Sequence, residues 1–444
     1  MSSTALTRTP GSAGNRRTWT WSAWIKKSKI AHSSAGTLFG AKDGSYPEIF
    51  YFASDDTLVW QHDISGSDYL VTITDRKFRD VSGWLHIVLA KDTTQSTEAD
   101  RIKIYINGEQ QTLTESQLGI PGQNYEGAIN NNVNHTIGNW ETNSYYFDGS
   151  MSHVHFIDGT AYAASAFGST DASTGEWKIN TTPSVTYGSN GFFILKDGNS
   201  VTDQSGNSNN FTVASGTLSK TEDNPSNVFA TFNSLHNTSA TMSNGNLTGQ
   251  STNSNYISGV STLGTKTGKF YAEFKLIAES ASGESVIGVT GLVRPTSAIV
   301  GQTGNFGIRN NHGLKYYTEN GSAYTGSSQH GNFTVNDIIG VALDMDNGRV
   351  YFSKNGGWWN GASTWTGTSP STYVTLQTDI FDEFFFECGD AASGHNATWS
   401  ANFGNGFFGT TAISSAGTNA SNNGIFEYDV PANYTALSTK GLNT

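Results

Sequence analysis

The sequence predicts an all-β chain with little helix, built as two antiparallel, jelly-roll-like β-sandwich domains in tandem. Three observations lead there. At 444 residues the chain exceeds what one hydrophobic core ordinarily supports, so two domains of about 200 residues are expected. Charged residues make up only 14% and glycine reaches 50, with Asn, Ser and Thr crowding the spaces between apolar runs, the make-up of short strands joined by polar turns. No stretch repeats apolar positions at helical spacing for long enough to predict a helix of any length.

The first strand, Thr18 to Ile25, alternates and sets Trp19 and Trp21 on one face. Further strands are expected at Glu48 to Phe52, Thr57 to His62, Tyr69 to Thr74, Trp84 to Lys91, Arg101 to Ile106, His135 to Ile137, Ser150 to Phe156 and Gly191 to Leu195. Asp43-Gly44, Asn107-Gly108 and Asp148-Gly149 offer the positive φ angles of tight connections, and Asn107-Gly108 is the clearest hairpin. An irregular stretch from Ala161 to Thr186 holds at most a helical turn near Ala163 to Phe167. A second strand set comprises Lys269 to Leu276, Ser285 to Val289, Asn305 to Ile308, Ile338 to Met345, Arg349 to Ser353, Glu383 to Glu387 and Ala397 to Ala401. The polar segment around Leu218 to Asn227 divides the two sets, giving domains over 1–217 and 233–444 joined by a linker over 218–232.

Composition also restricts function. With 37 acidic against 25 basic residues and a net charge of -12, neither nucleic acid nor an anionic membrane is expected as the main partner. The amino terminus lacks the apolar stretch of a signal peptide, and no apolar run reaches the roughly 20 residues that span a bilayer. No membrane insertion is expected, and synthesis in a cytoplasm is. Cys388, beside Phe384, Phe385 and Phe386, reads as a buried strand residue. The Asn-x-Ser/Thr triplets at Asn134, Asn180, Asn210 and Asn396 follow from composition.

Motifs with catalytic or metal chemistry are weak. Sandwich hydrolases set two carboxylates on one strand face, but the acids here are scattered singly, several in turns, so no enzyme activity and no catalytic residue is expected. Gly404-Asn-Gly406-Phe-Phe-Gly409 fits a dinucleotide-binding spacing without the strand-then-helix context that cradles a pyrophosphate. His153 and His155 alternate on a strand and are expected on a solvated outer face, with no third ligand nearby. Asp344 and Asp346 resemble a calcium loop, but the glycine comes one position early and the closing glutamate is missing, so a hairpin is expected. No cofactor or metal is therefore expected.

Aromatic residues in polar loops are the binding candidates, because sugar faces pack on flat rings while amides bond the hydroxyls. They are Trp140, Tyr145 and Tyr146 in the first half, and Trp358, Trp359, Asn360 and Trp365 in the second. The alternative for each is a ring that caps the sandwich core.

Gly83-Trp84-Leu-His86, Ile102-Lys-Ile-Tyr105-Ile-Asn107-Gly108, Ile137-Gly138 and Phe147-Asp-Gly149 resemble, in order and spacing, the laminin-G-like, concanavalin A-type lectin domain. Trp84 and Tyr105 then read as inward residues of neighbouring strands. Gly268-Lys-Phe270-Tyr271-Ala-Glu273, Ile287-Gly288-Val289 and the run Asp337 through Asp344-Met-Asp346-Asn347-Gly348 to Asn355-Gly356 resemble a SPRY domain. The combination is similar to tail-fibre and other structural proteins of bacteriophages, especially marine cyanobacterial phages. That resemblance is carried by Leu6-Thr-Arg8-Thr-Pro10, the Trp-rich strand, His155-Phe156-Ile-Asp158-Gly159, Asp203 to Asn210, and Val430 to Ser438. It implies a virion appendage, in the virion, that recognises host-surface glycan or protein and assembles with other virion structural proteins. It also implies a homo-oligomer, trimeric if a fibre. The alternatives are a capsid or tail decoration protein and, less favoured, a polysaccharide depolymerase. The arm Met1 to Arg17, with Arg8, Arg16 and Arg17, would be the virion anchor, or simply a first strand with a frayed tip.

Overall fold

The computed structural model describes the chain except for residues 1–3, 32–34, 67, 141–144, 197–199, 237–239, 253–256, 281–283, 292–303, 311–314, 320–321, 326–331, 363, 392–393 and 444. Strand makes up 46% of it and helix 3%, so the chain is all-β, with antiparallel sheets stacked as two sandwiches. It divides into compact units over Met1–Lys220 and Thr221–Thr444.

In the first unit an eight-stranded and a six-stranded sheet face each other. Thr18–Lys27 lies between Leu85–Asp92 and Gly149–Asp158 in the six-stranded sheet, and its alternation sends Trp19, Trp21, Ala23 and Ile25 into the core. Opposite them, Tyr46–Phe52 and Thr57–Ser65 contribute Phe50, Phe52, Leu58 and Trp60. The strand Gly36–Asp43, which the sequence reading passed over, also supplies Leu38, Phe39 and Ala41. Its alternation is obscured by a register shift between Thr37 and Phe39. Ala5–Arg8 is a first strand, paired between His135–Ile137 and Thr212–Ser215.

Turn chemistry holds with one correction. Asn107 and Gly108 both take positive φ, 47° and 87°, and close the hairpin between Ile102–Ile106 and Glu109–Gln110. Asp148-Gly149 is not such a turn. Gly149 opens a strand, and its need is for space: a Cβ there would lie 2.2 Å from Lys26 O.

The irregular stretch after Asp158 covers the outer face of the six-stranded sheet. It carries a short 3-10 turn over Ala164–Ala166, and Ala164 and Phe167 pack with Val88 and Ile157, with Tyr105 and Trp177 alongside. Tyr105 therefore points outward, away from the inter-sheet core, correcting the expected inward orientation. Ile104 and Ile106 take the inward positions of that strand.

The second unit repeats the plan. A nine-stranded and a six-stranded sheet enclose Phe270, Phe274, Ile287, Val289, Val341, Phe352, Phe386, Cys388 and Trp399. Ile338–Asp344 and Arg349–Lys354 form the expected hairpin, with Gly348 at φ 62°. Parts of the segment expected as linker are packed: Leu218 lies against the first core, and Phe229, Ala230 and Phe232 are buried in the second unit. Phe229 bridges to Ser438, so the two ends of this unit meet. The tail of the chain covers the outer face of the nine-stranded sheet, where Tyr271, Tyr351 and Trp358 pack with Phe426, Val430 and Tyr434.

Candidate functional site

Of the aromatic candidates, those of the first unit lie at a corner of the eight-stranded sheet. The strand His135–Ile137 ends at Gly138, whose φ of 86° turns the chain out, and Trp140, Tyr145 and Tyr146 follow. The return leg is held by Thr37 N donating to Tyr145 O at 3.0 Å and by Phe147 N donating to Gly138 O at 2.9 Å. The Trp140 and Tyr145 rings stand 5.2 Å apart at 33°, both half-buried, and the Tyr146 phenol shares a hydrogen bond with Ser215 Oγ. Tyr145 sits at φ 62°, a conformation that bulky residues rarely adopt.

The second-unit candidates are placed differently. Trp358 and Trp359 are 5% and 1% exposed. Trp358 packs 6.2 Å from Tyr271 under the chain's tail, and Trp359 donates its indole N–H to Ala362 O at 2.9 Å. Trp365 leans on the core, and Asn360 alone is exposed, bonded to Thr366. The two buried tryptophans are core residues, a correction with a simple cause: the short hairpin partner Gly357–Trp358 folds them back onto the sheet.

The arginines of the arm are engaged within the first unit. Arg8 bonds Asn190 O and the Asn209 side chain, while Arg16 bonds Gly127 O and approaches Asp43 and Glu126. Arg17 pairs with Glu126 at 2.9 Å.

The histidines are not solvated. His153, at φ 50°, and His155 are both buried: a register shift between Ser152 and His155 breaks the alternation, and Phe167, Tyr187 and Phe193 cover His155. His155 stacks on Phe193 at 3.9 Å and shares a hydrogen bond with the Tyr187 phenol. On the same outer face His86 lies between the Trp24 and Trp177 rings. Trp177 Nε1 donates to His86 Nδ1 at 3.0 Å, which leaves the proton on Nε2, facing Ser22 Oγ at 2.9 Å. Burial drives His86 down to about 3.

Sequence reasoning missed the buried ion pairs. Glu48 and Lys91 are fully buried with Nζ and Oε1 2.7 Å apart, and Trp60 Nε1 and Ile129 N also donate to Glu48. Toward the other end of the same sandwich, Lys27 and Asp56 pair at 2.8 Å. The signal was available: Glu48 is in phase with inward Phe50 and Phe52, and Lys91 with Ile87 and Leu89. In the second unit Glu273 is fully buried and accepts Glu427 N and Tyr428 N, each at 2.8 Å, along with the Tyr271 phenol and the Asn402 amide. Burial raises it to about 7, against hydrogen bonds that favour the anion.

Asp203, in the polar loop to Asn210, accepts Phe193 N, Ser205 N, Ser205 Oγ and Asn209 N, which makes that loop a structural clasp. Among the described residues no group of three or more His, Cys, Asp or Glu is placed to hold a metal ion. No helix of the described chain is long and apolar enough to cross a membrane.

Comparison with known proteins agrees with this architecture. Residues 2–166 match the family model described as the concanavalin A-like lectin/glucanases superfamily, and residues 270–370 match the SPRY domain. No curated protein sequence matches the chain. Solved structures similar to it include a heptameric SAP-like pentraxin from Limulus polyphemus, at 17% identity over 36% of this chain and 72% of that one, TM-score 0.27. The SPRY domain of human HERC1 is 17% identical over 35% of this chain and 81% of that one, TM-score 0.27. A Bacteroides ovatus protein described as a carbohydrate-binding candidate is 16% identical over 50% of this chain and 60% of that one, TM-score 0.27. The two family matches fall one in each β-sandwich, a concanavalin A-like, laminin-G-type domain in the first and a SPRY domain in the second.

Proposed function

We propose that the protein is a non-catalytic recognition component of a bacteriophage particle, a tail-fibre or receptor-binding appendage that attaches to a host-surface glycan. The observation that carries this reading is the Trp140–Tyr145 pair, half-buried at the rim of a concanavalin A-like sandwich and flanked by Tyr146. The use made of the buried carboxylates supports binding over hydrolysis: Glu48 is held by Lys91 and Glu273 by backbone amides, so neither is presented to a substrate as acid or nucleophile. The SPRY domain supplies a protein contact, within the virion or on the host, and multiple copies raise weak single-site affinity to useful avidity.

The purified protein on a glycan array and on host cells tests the reading, with Trp140→Ala and Tyr145→Ala variants alongside. Specific binding in the wild type, lost in a variant that still folds and unfolds in one cooperative transition, is the expected result. Absence of binding in every assembly state supports the decoration or connector role instead.

A further inference from the structure

Three buried polar atoms without a hydrogen-bond partner fall at the corner that carries Trp140. They are Thr37 Oγ1, Asn139 Oδ1 and Trp140 Nε1. The backbone brings them together. Strand Gly36–Asp43 pairs with His135–Ile137 in the register Phe39↔Ile137, and just beyond that pairing Gly138 turns the chain toward Asn139 and Trp140 while Thr37 is met by Tyr145 and Tyr146. Gly138 N donates to Leu38 O at 3.2 Å, Thr37 N to Tyr145 O at 3.0 Å, and Thr37 bridges to Tyr146. Thr136 Oγ1 donates to Asn139 O at 2.9 Å, fixing the backbone of Asn139 while its side-chain oxygen stays unused.

Each such group destabilises a fold, and native proteins keep few of them. Three at one corner, beside a pair of tilted rings and a tyrosine held at φ 62°, mark a place where the fold has kept polar capacity for another molecule. Their chemistry is specific. The amide oxygen only accepts, the indole N–H only donates, and the threonine hydroxyl does both. A pair of neighbouring hydroxyls on a sugar ring meets that set, whereas a carboxylate would find Asn139 Oδ1 opposed to it.

We infer that this corner is a pyranose subsite in which Thr37 and Asn139 determine specificity, an inference that rests on the glycan-binding reading above. One ring hydroxyl accepts from Trp140 Nε1 and donates to Asn139 Oδ1. Its neighbour exchanges a hydrogen bond with Thr37 Oγ1, and the ring lies against Trp140 and Tyr145. Binding requires the two half-buried rings to part, which exposes the polar atoms beneath.

The test is indole N–H spectroscopy on the full chain, with the Trp140 resonance assigned from Trp140→Phe. The titrants are methyl α-D-glucopyranoside, methyl α-D-mannopyranoside and methyl β-D-galactopyranoside, with glycerol as the acyclic control. At least one pyranoside shifts the Trp140 resonance saturably and glycerol does not. Thr37→Val weakens that binding at least about fivefold, the loss of one hydrogen bond, while its melting temperature stays level or rises because an unpaired hydroxyl has gone. Thr37→Ser retains binding. The inference is overturned if no pyranoside moves the resonance, or if Thr37→Val binds as the wild type does. Array binding that needs Trp140 but not Thr37 overturns the inference alone; array binding that survives Trp140→Ala removes the rim reading with it.

Discussion

Lys91 Nζ lies 2.7 Å from Glu48 Oε1, with both side chains fully buried between the sheets of the first domain. The ammonium also lies 5.4 Å from the Trp19 ring and 5.3 Å from the Trp60 ring, so the pair is enclosed by aromatic carbon. Burial alone would raise the Glu48 carboxyl, but Lys91, with His62 and the Ile129 amide, holds it below its ordinary value. Removing one partner leaves the other charge buried without compensation. Lys91→Met is expected to cost about 3–5 kcal/mol, while the double variant with Glu48→Gln recovers a large part of that loss. Urea unfolding of the four proteins in the cycle measures it, and a double variant no better than Lys91→Met would refute the coupling.

The two domains are expected to respond oppositely to acid between pH 7 and 4.5. In the first, burial lowers His86 to about 3 and His135 to about 4. The unfolded chain therefore binds protons that the native domain refuses, and stability falls as pH drops below about 6.5, by up to about 1.4 kcal/mol per pH unit for each histidine. In the second, Glu273 at about 7 binds its proton more tightly folded than unfolded, so its contribution is full below the unfolded value near 4.5 and is lost as pH rises through 7. Calorimetry from pH 4.5 to 7 should show the first domain's transition rising with pH and the Glu273 contribution lowering the second's. Parallel shifts that persist in Glu273→Gln would contradict this.

Glu273→Gln carries its own prediction. Both carboxylate oxygens accept two donors each, and an amide would turn N–H groups toward N–H groups. A loss of about 1–3 kcal/mol is expected, together with loosening of the tail around Phe426 to Tyr428. Amide exchange at Glu427 and Tyr428 reports it directly, and unchanged protection there would count against the latch.

Gly108 shows why a hairpin glycine resists substitution. Its φ is 87°, and a Cβ would lie 2.4 Å from the Trp177 ring. Gly108→Ala should destabilise by about 1–3 kcal/mol, combining backbone strain with a displaced Trp177 that no longer covers His86. Denaturation read by tryptophan fluorescence checks it. A neutral substitution would mean that the ring relocates freely.

Trp358→Ala is expected to cost about 3–5 kcal/mol without acting on binding, since its ring is buried against Tyr271. Trp140→Ala should cost less and abolish glycan attachment. Paired melting and array measurements separate a core ring from a contact ring.

The sequence by itself determined the all-β class, the tandem sandwiches and most inward faces, because alternation and Asn-Gly turns act over a few residues. Trp19 and Trp21, Asn107-Gly108 and buried Cys388 were legible for that reason. Only the tertiary structure decided which faces are open. Tyr105, His153 and His155 lie where alternation suggests solvent or core, but a distant segment and a register shift set their surroundings. Trp140 and Trp358 are alike in composition and neighbourhood, and what separates rim from core is the chain's tail packing over one of them. The meeting of Thr37 with Tyr145 and Tyr146 is likewise a product of pairing across about a hundred residues of sequence. Burial depends on long-range pairing, and no local pattern encodes it.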